Sequence, residues 1–259
     1  MNMWRIPRAR RGAWAVWRRN ILVWRKLLGP ALLMNFGEPT LYLIGLGYGL
    51  GVFIGQMGDM PYLTFLASGI VASSAMTTSS FEGMYSVFTR MIPQRTYEAI
   101  LATPLEIDDI LAGEMLWCGT KAAFSATAIL IVATALGVVG GWQALWVIPV
   151  AFLTGLCFAG PAIMMSSVAN NYDFFNYYFV LAITPMLLVS GVFYPITTLP
   201  AVLQGVVQIL PLAHAVALTR PLVAGQPLDA PLLHLAVMSA YALVSYYLAV
   251  VMVRRRMLA

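Results

Sequence analysis

Six apolar runs, residues 36–54, 62–81, 110–136, 142–168, 174–193 and 232–253, dominate the 259-residue chain. A helix needs about 20 such residues to cross the hydrocarbon core of a bilayer. In lipid every backbone N–H and C=O must be paired within the protein, which restricts spanning structures to helices and closed barrels. The runs therefore predict an all-α integral membrane protein with six transmembrane helices. Composition agrees: 61% of the residues are hydrophobic and only 10% charged, against about a quarter in a soluble domain. Cys118 and Cys157 both lie in apolar runs and form no disulfide framework. The first 35 residues hold no short apolar core with a cleavage site, so no removable signal peptide is expected. No repeat is visible, which weighs against transporter folds made of duplicated halves.

Orientation follows from lysine and arginine. Arg5, Arg8, Arg10, Arg11, Arg18, Arg19, Arg25 and Lys26 precede the first run, Arg90 and Arg95 separate the second from the third, and Arg254, Arg255 and Arg256 follow the sixth. Thirteen of the 15 basic residues thus fall on one face, leaving Lys121 within a span and Arg220 opposite. Both termini are expected in the cytoplasm. The basic excess reports membrane orientation, and nucleic acid is not an expected partner.

Residues 1–35 form a cytoplasmic N-terminus, and residues 36–259 the membrane domain. Within the first, Trp14, Trp17, Ile21, Trp24 and Leu28 recur every three or four residues, while Arg11, Arg18 and Arg25 take the opposite side. Asn20 is the one polar residue on the apolar arc. This is the pattern of a basic amphipathic helix lying in the headgroup layer. Between the second and third runs, "ATPLE" fits a capping box with Thr103 as N-cap, Pro104 at the first helical position and Glu106 at the third. A helix is expected to start at Pro104, leaving residues 95–102 as a separate short cytoplasmic helix. That helix is either a docking knob for a partner or a solvated turn.

Glu38, Glu82, Glu114 and Lys121 lie in or near spans, where each charge costs about 2.5–3.5 kcal/mol at mid-helix. The three acids are expected near the cytoplasmic boundary, within reach of water. Glu114 and Lys121, seven apart on one face, suggest pairing or snorkelling over a transport role. Gly45, Gly47, Gly49 and Gly51 stand in two four-residue ladders, which let helix backbones approach closely. Spacing leaves open whether the partner helix belongs to the same chain or a second copy. No catalytic constellation is present. His214 and His234 lack a ligand cluster, so no metal site is expected, and no phosphate-binding GxxxxGK[ST] loop occurs; "GEMLWCGTK" has the wrong spacing.

The segment after the fifth run, "SGVFYPITTLPAVLQGVVQILPLAHA", is too apolar for a water-exposed loop and too rich in proline for one helix. Residues 200–210 allow a helix of about 16 Å, about half the hydrocarbon thickness. A second short helix is expected from Leu212 to Arg220, stopped by Pro221. Residues 199–221 are therefore expected to form a re-entrant hairpin in the outer leaflet. It would act as an outer gate, with Gln204, Gln208, His214 and Arg220 facing the exit or capping the break, or as a plug without gating.

At "EPTLYLIGLGYGLG", "RTYEAILATPLEIDDILAGE", "TPMLLVSGVFYPITTLP" and "LPLAHAVALTRPL" the chain resembles the membrane subunits of type-2 ABC exporters, in particular the NodJ-like branch. The resemblance covers nearly the whole chain in order. It implies a homodimer of six-span permeases in the bacterial inner membrane, served by two copies of a separate ABC ATPase. ATP and Mg would be bound by that partner, so this chain needs no cofactor and is not itself an enzyme. It implies a coupling helix over Arg95, Thr96, Tyr97, Glu98, Ala99 and Ile100, and a seam between subunits at the span-one glycines. The branch name suggests outward movement of a lipo-chitooligosaccharide or another amphipathic, glycolipid-like molecule. Related carbohydrate exporters line their channels with aromatics, which makes Tyr42, Tyr48, Tyr177 and Tyr178 candidates here; aromatic rows at span ends also form interfacial belts. The competing classes are an ion-coupled secondary transporter, a membrane-embedded enzyme, a scaffold and, among ABC exporters, one for drugs or other hydrophobic small molecules.

Overall fold

A computed structural model describes residues 4–8 and 10–258. Among them the structure is helical apart from a two-stranded hairpin, β1 (Gln56–Met57) with β2 (Met60–Pro61). In chain order the helices are α1 (Gly12–Trp24), α2 (Leu28–Tyr42), α3 (Gly49–Ile54), α4 (Tyr62–Phe81), α5 (Val87–Met91), α6 (Thr96–Leu101), α7 (Ile107–Ala135), α8 (Val147–Val168), α9 (Phe174–Tyr178), α10 (Thr184–Val189), α11 (Ala201–Val207), α12 (Pro211–Ala224) and α13 (Pro231–Leu258). α7, α8 with its 3₁₀ lead-in, and α13 are long and apolar enough to cross a bilayer alone. α11 and α12, bent by 87°, would add a fourth crossing only if taken as one element. The first, second and fifth apolar runs are each interrupted or extended by a π turn: Leu43–Tyr48, Glu82–Ser86 and Phe179–Ile183. The side chain of Glu38 lies outside the described residues.

α8 is the centre of the bundle and packs on α4, α7 and α13. Its small residues make this possible. Gly155 lies against Gly119 and Ala122 of α7, Gly160 against Ser245 of α13, and Ala162 against Gly83. A side chain at Gly155 or Gly160 would overlap those neighbours; small residues at such crossings drive helix association by close packing. The contact is sealed by Ser79 Oγ, which donates to the Gly155 carbonyl at 2.6 Å.

Several expectations are corrected here. α7 begins at Ile107, not Pro104: Glu106 is the N-cap and closes a capping box with Asp109. Thr103 instead turns its hydroxyl back onto the Ile100 carbonyl at 2.6 Å. A carboxylate cap followed by two aspartates suits the positive end of a long helix better than a hydroxyl. α12 runs through Pro221 and stops at Gly225, whose φ of 73° only glycine adopts freely. On α1, Ala13, Val16 and Asn20 are the buried face, seated on α7 at Gly113; Trp17 and Trp24 also reach α7, at Thr120 and Trp117, while Trp14 stays 60% exposed.

The start of α7 gathers both ends of the chain. The backbone N–H groups of Arg8 and Arg10 donate to Asp108 and Asp109 at 2.9 and 2.8 Å. From the far end of α13, Arg254 grips Asp108 through Nε at 3.0 Å and Nη2 at 2.6 Å, and its Nη1 holds the Arg5 carbonyl at 2.6 Å. Both side chains of this pair are buried. Removing one partner of a buried ion pair strands the other, so Arg254→Ala should destabilise the fold by about 3–5 kcal/mol, seen as a lowered thermal midpoint of the detergent-solubilised protein.

Candidate functional site

A cavity of about 440 Å³ opens between the first, second, third and fifth apolar runs. Its lining mixes three kinds of side chain. Tyr42, Phe81, Tyr85, Phe193, Ile70 and Leu187 are aromatic or aliphatic; Ser73, Ser74, Thr77, Thr78, Ser86 and Ser125 carry hydroxyls; Glu82 and Lys121 carry charge. Most of the hydroxyls come from one string of α4, "SSAMTTSS" (residues 73–80). Ser73 and Thr77 satisfy themselves on their own helix backbone, whereas Ser74 and Ser125 meet across α4 and α7 at 2.6 Å. The π turn at Glu82–Ser86 contributes three lining residues; such turns recur at functional sites because they re-aim side chains from a helix.

Behind the wall formed by Glu82 and Lys121 lies a buried charge network. Arg90 Nη2 donates to Glu114 Oε2 at 2.7 Å and to Glu82 Oε1 at 3.2 Å. Trp117 Nε1 donates to the same Glu82 oxygen at 2.9 Å, and Asn20 Nδ2 to Glu114 Oε2 at 3.0 Å. Lys121 Nζ stands 3.5 Å from Glu82 Oε2, between the rings of Trp24 and Trp117. Glu82 and Glu114 are therefore buried and paired, not water-exposed, and Glu114 and Lys121 do not pair with each other. They point to different partners because Arg90 stands over Glu114 and Glu82 over Lys121.

The expected coupling residues divide into two sets. Arg95 carries the left-handed φ of 48° that turns the chain into α6. Arg95, Glu98 and Ala99 are exposed, Thr96 and Ile100 half-buried. Tyr97 is different: it is 1% exposed and packs among Met91, Ile110 and Val250. Burial, helped by the nearby Glu114 carboxylate, pushes its phenol well above the usual range, so the hydroxyl keeps its proton.

Around α11 and α12 the polar residues satisfy backbone. Gln204 donates to the carbonyls of Thr197 and Leu199 at 3.3 and 2.7 Å. His214 contacts the Gln208 carbonyl through Nε2 at 2.8 Å and His234 through Nδ1 at 2.7 Å. A carbonyl only accepts, so His214 Nε2 bears hydrogen there, and in the neutral pair His234 Nδ1–H donates to His214 Nδ1. The Gln208 side chain is exposed. Arg220 reaches inward, donating to the Gly191 carbonyl at 2.6 Å and stacking 3.5 Å over Phe65.

The two glycine ladders face different ways. Gly47 is buried against Leu63 and Gly51 approaches Tyr62, both of this chain, while Gly45 and Gly49 have open space in front of them. Of the four tyrosines, Tyr42 lines the cavity. Tyr48 and Tyr177 are 51% and 65% exposed, and Tyr178 packs into the core. From sequence, Asn20 stood out only as a polar residue on an apolar arc and Arg90 only as one of the counted charges, while Trp117 and the serine–threonine string were not singled out; the string itself, unusual inside a span, was the available signal. Trp117→Phe removes one donor from Glu82 and puts a smaller ring in the buried site. It should lower stability by about 1–3 kcal/mol, read from thermal unfolding in detergent.

Four similarities bear on this arrangement. Residues 11–223 match the family described as ABC-2 type transporter. Nodulation protein J of Rhizobium meliloti (strain 1021) is 44% identical over 244 residues, covering 94% of this chain and 93% of that protein. The protein of the same name from Bradyrhizobium diazoefficiens is 42% identical over equal shares. Inner membrane transport permease YadH of Escherichia coli (strain K12) is 26% identical over 209 residues, 78% of this chain and 79% of YadH.

Proposed function

The chain belongs to the ABC-2 type transporter family, and from that premise we propose that it is the NodJ-like permease subunit of an ATP-driven exporter. Members of the family are membrane subunits that work with an ABC ATPase, not enzymes themselves. The observation that carries the proposal is the cavity at Tyr42, Thr78, Lys121 and Ser125, where aromatic faces, hydroxyls and one ion pair stand side by side. Ligand sites of this kind combine apolar walls with a few placed polar groups. Such a lining suits an amphipathic molecule with a hydroxyl-rich head, glycolipid or lipo-oligosaccharide-like. Glu82 and Glu114 both bond to Arg90, an arrangement that favours a structural network over a proton-taking acid and so speaks against an ion-coupled carrier.

In this proposal six spans cross the bacterial inner membrane with both termini inside. α1 lies at the cytoplasmic interface, α6 docks two ATPase copies per homodimer, and α11 with α12 forms a re-entrant outer gate. The exposed edge of α6, Arg95, Glu98 and Ala99, meets the ATPase. Gln204, Gln208, His214 and Arg220 hold the gate's bends together. Gly45 and Gly49, open in front and flanked by exposed Leu41, Tyr48 and Val52, supply the seam to the second copy, while Gly47 and Gly51 serve packing within the chain.

Co-reconstitution with its ATPase into liposomes, using a fluorescent N-acylated chitooligosaccharide as probe, should give probe movement that depends on ATP hydrolysis. Movement driven by an ion gradient without the ATPase would overturn the proposal. For the seam, Gly45→Cys and Gly49→Cys should each form cross-links between chains under mild oxidation, and Gly47→Cys should not. Equal cross-linking of all three would remove the division between the ladders.

A further inference from the structure

With Ala13, Val16 and Asn20 seated on α7, the opposite side of α1 faces outward, and it is basic and apolar by turns. Arg11, Arg18 and Arg25, seven apart, are all exposed, and so is Lys26 beside the last. Seven residues of helix rise about 10.5 Å, so the three guanidinium groups are spread along one ridge. Between them stand Trp14 and Leu22, 60% and 48% exposed. Trp14 stacks on Trp17 at 4.2 Å, which fixes its ring at the edge of the ridge. Water can solvate the basic groups, but no acid supplies a counter-charge. The first acidic residue of the chain is Glu38, and among the described residues Arg11, Arg18, Arg25 and Lys26 enter no ion pair. Arg5 and Arg10, just before them, are both paired with Glu106.

We infer that this ridge binds anionic phospholipid, and that lipid seated there braces α1 on α7. The four basic groups meet headgroup phosphates, while Trp14 and Leu22 enter the boundary of the acyl chains. An acidic protein face would match the charge alone. Apolar and basic side chains alternating along one ridge match both layers of an anionic bilayer surface. α1 in turn holds the wall of the cavity. Asn20 donates to Glu114 at 3.0 Å and Trp17 to Thr120 at 2.9 Å. Trp24 stands edge-on to Trp117 and Phe124, with the Lys121 ammonium 5.9 Å from its ring centre. Lys121 itself lines the cavity. Lipid drawn onto the ridge adds to the contacts that keep α1 seated, so membrane composition reaches the cavity through one helix. This rests on the interfacial placement of α1 in the permease proposed above, to which it adds a ligand and its consequence.

Cys118 reports the seating of α1, because it lies in the same buried cluster as Val16. Cys157→Ser leaves it as the single thiol and keeps a donor for the Met238 carbonyl. The full chain with this change is placed in nanodiscs of phosphatidylcholine, with or without phosphatidylglycerol of the same acyl chains. Phosphatidylglycerol should slow labelling of Cys118 by N-ethylmaleimide at least about fivefold, the effect of one basic group near an anionic surface. Arg18→Gln with Arg25→Gln should bring the ratio to between about one and two. Arg95→Gln with Arg255→Gln, an equal loss of exposed charge elsewhere, should keep it. Phospholipid co-purified with the chain, measured by mass spectrometry, should be enriched in phosphatidylglycerol except in the ridge variant. No slowing with the ridge intact overturns the inference. Equal loss in both double variants overturns it too, since general charge attraction would then suffice. A ridge variant that loses ATPase binding but keeps phosphatidylglycerol makes the ridge a protein-docking surface, and the inference falls. None of these readouts needs transport, so ATP-driven movement of the probe can fail or stand independently of them.

Discussion

Charge cannot stand alone inside an apolar bundle, and in this protein the condition is met by one guanidinium. Arg90 lies between Glu82 and Glu114, so α5, the π turn before it and α7 are fixed relative to one another. Asn20 brings in α1 through Glu114, Trp117 closes on Glu82, and Lys121 joins from the cavity side. Each acid is held by at least two donors, the arrangement that offsets the loss of water around a buried carboxylate. Removing Arg90 would leave two buried negative charges facing each other, and the end of the bundle around them would have no reason to hold its shape.

The rest of the bundle is arranged by size. α8 presents Gly155, Gly160 and Ala162 to three neighbours at once, and the close crossings leave little room for bulk at the centre. Bulk is displaced to the first and fifth apolar runs, where Phe53, Tyr177 and Leu181 remain exposed. The cavity lies between this dense centre and that looser edge. Most of its hydroxyls sit on α4, which leans on the centre, and its rings come from elements on both sides. The broken segment around α11 and α12 is held in a similar spirit by side chains that satisfy loose backbone, Gln204, His214 and Arg220.

Much of this was legible in the order of residues. Apolar run length announced the long helices because a bilayer has a fixed thickness and lipid offers no hydrogen bonds. The bend before α7, the short α6 and the broken outer segment were visible because proline and a following acid act locally. Local signals misled where a stronger local competitor was present. Glu106 with Asp109 displaced Thr103 as the cap, and α12 absorbed Pro221 because its packing on α4 and α13 outweighed one missing bond.

What sequence alone determined, then, is what depends on neighbours along the chain: how long each apolar stretch is, which stretches are broken between their neighbours, and which segments carry the positive charge. What only tertiary structure decided is which distant groups meet. Asn20 looked like a flaw in an apolar arc until Glu114, 94 residues away, was found bonded to it. Two histidines 20 apart in sequence stand 2.7 Å apart in space, and one glycine ladder faces its own chain while the other faces open space. Spacing records only the direction in which a side chain leaves its helix; the partner is chosen when helices pack, because a buried polar group takes whichever donor or acceptor the packing brings within about 3 Å.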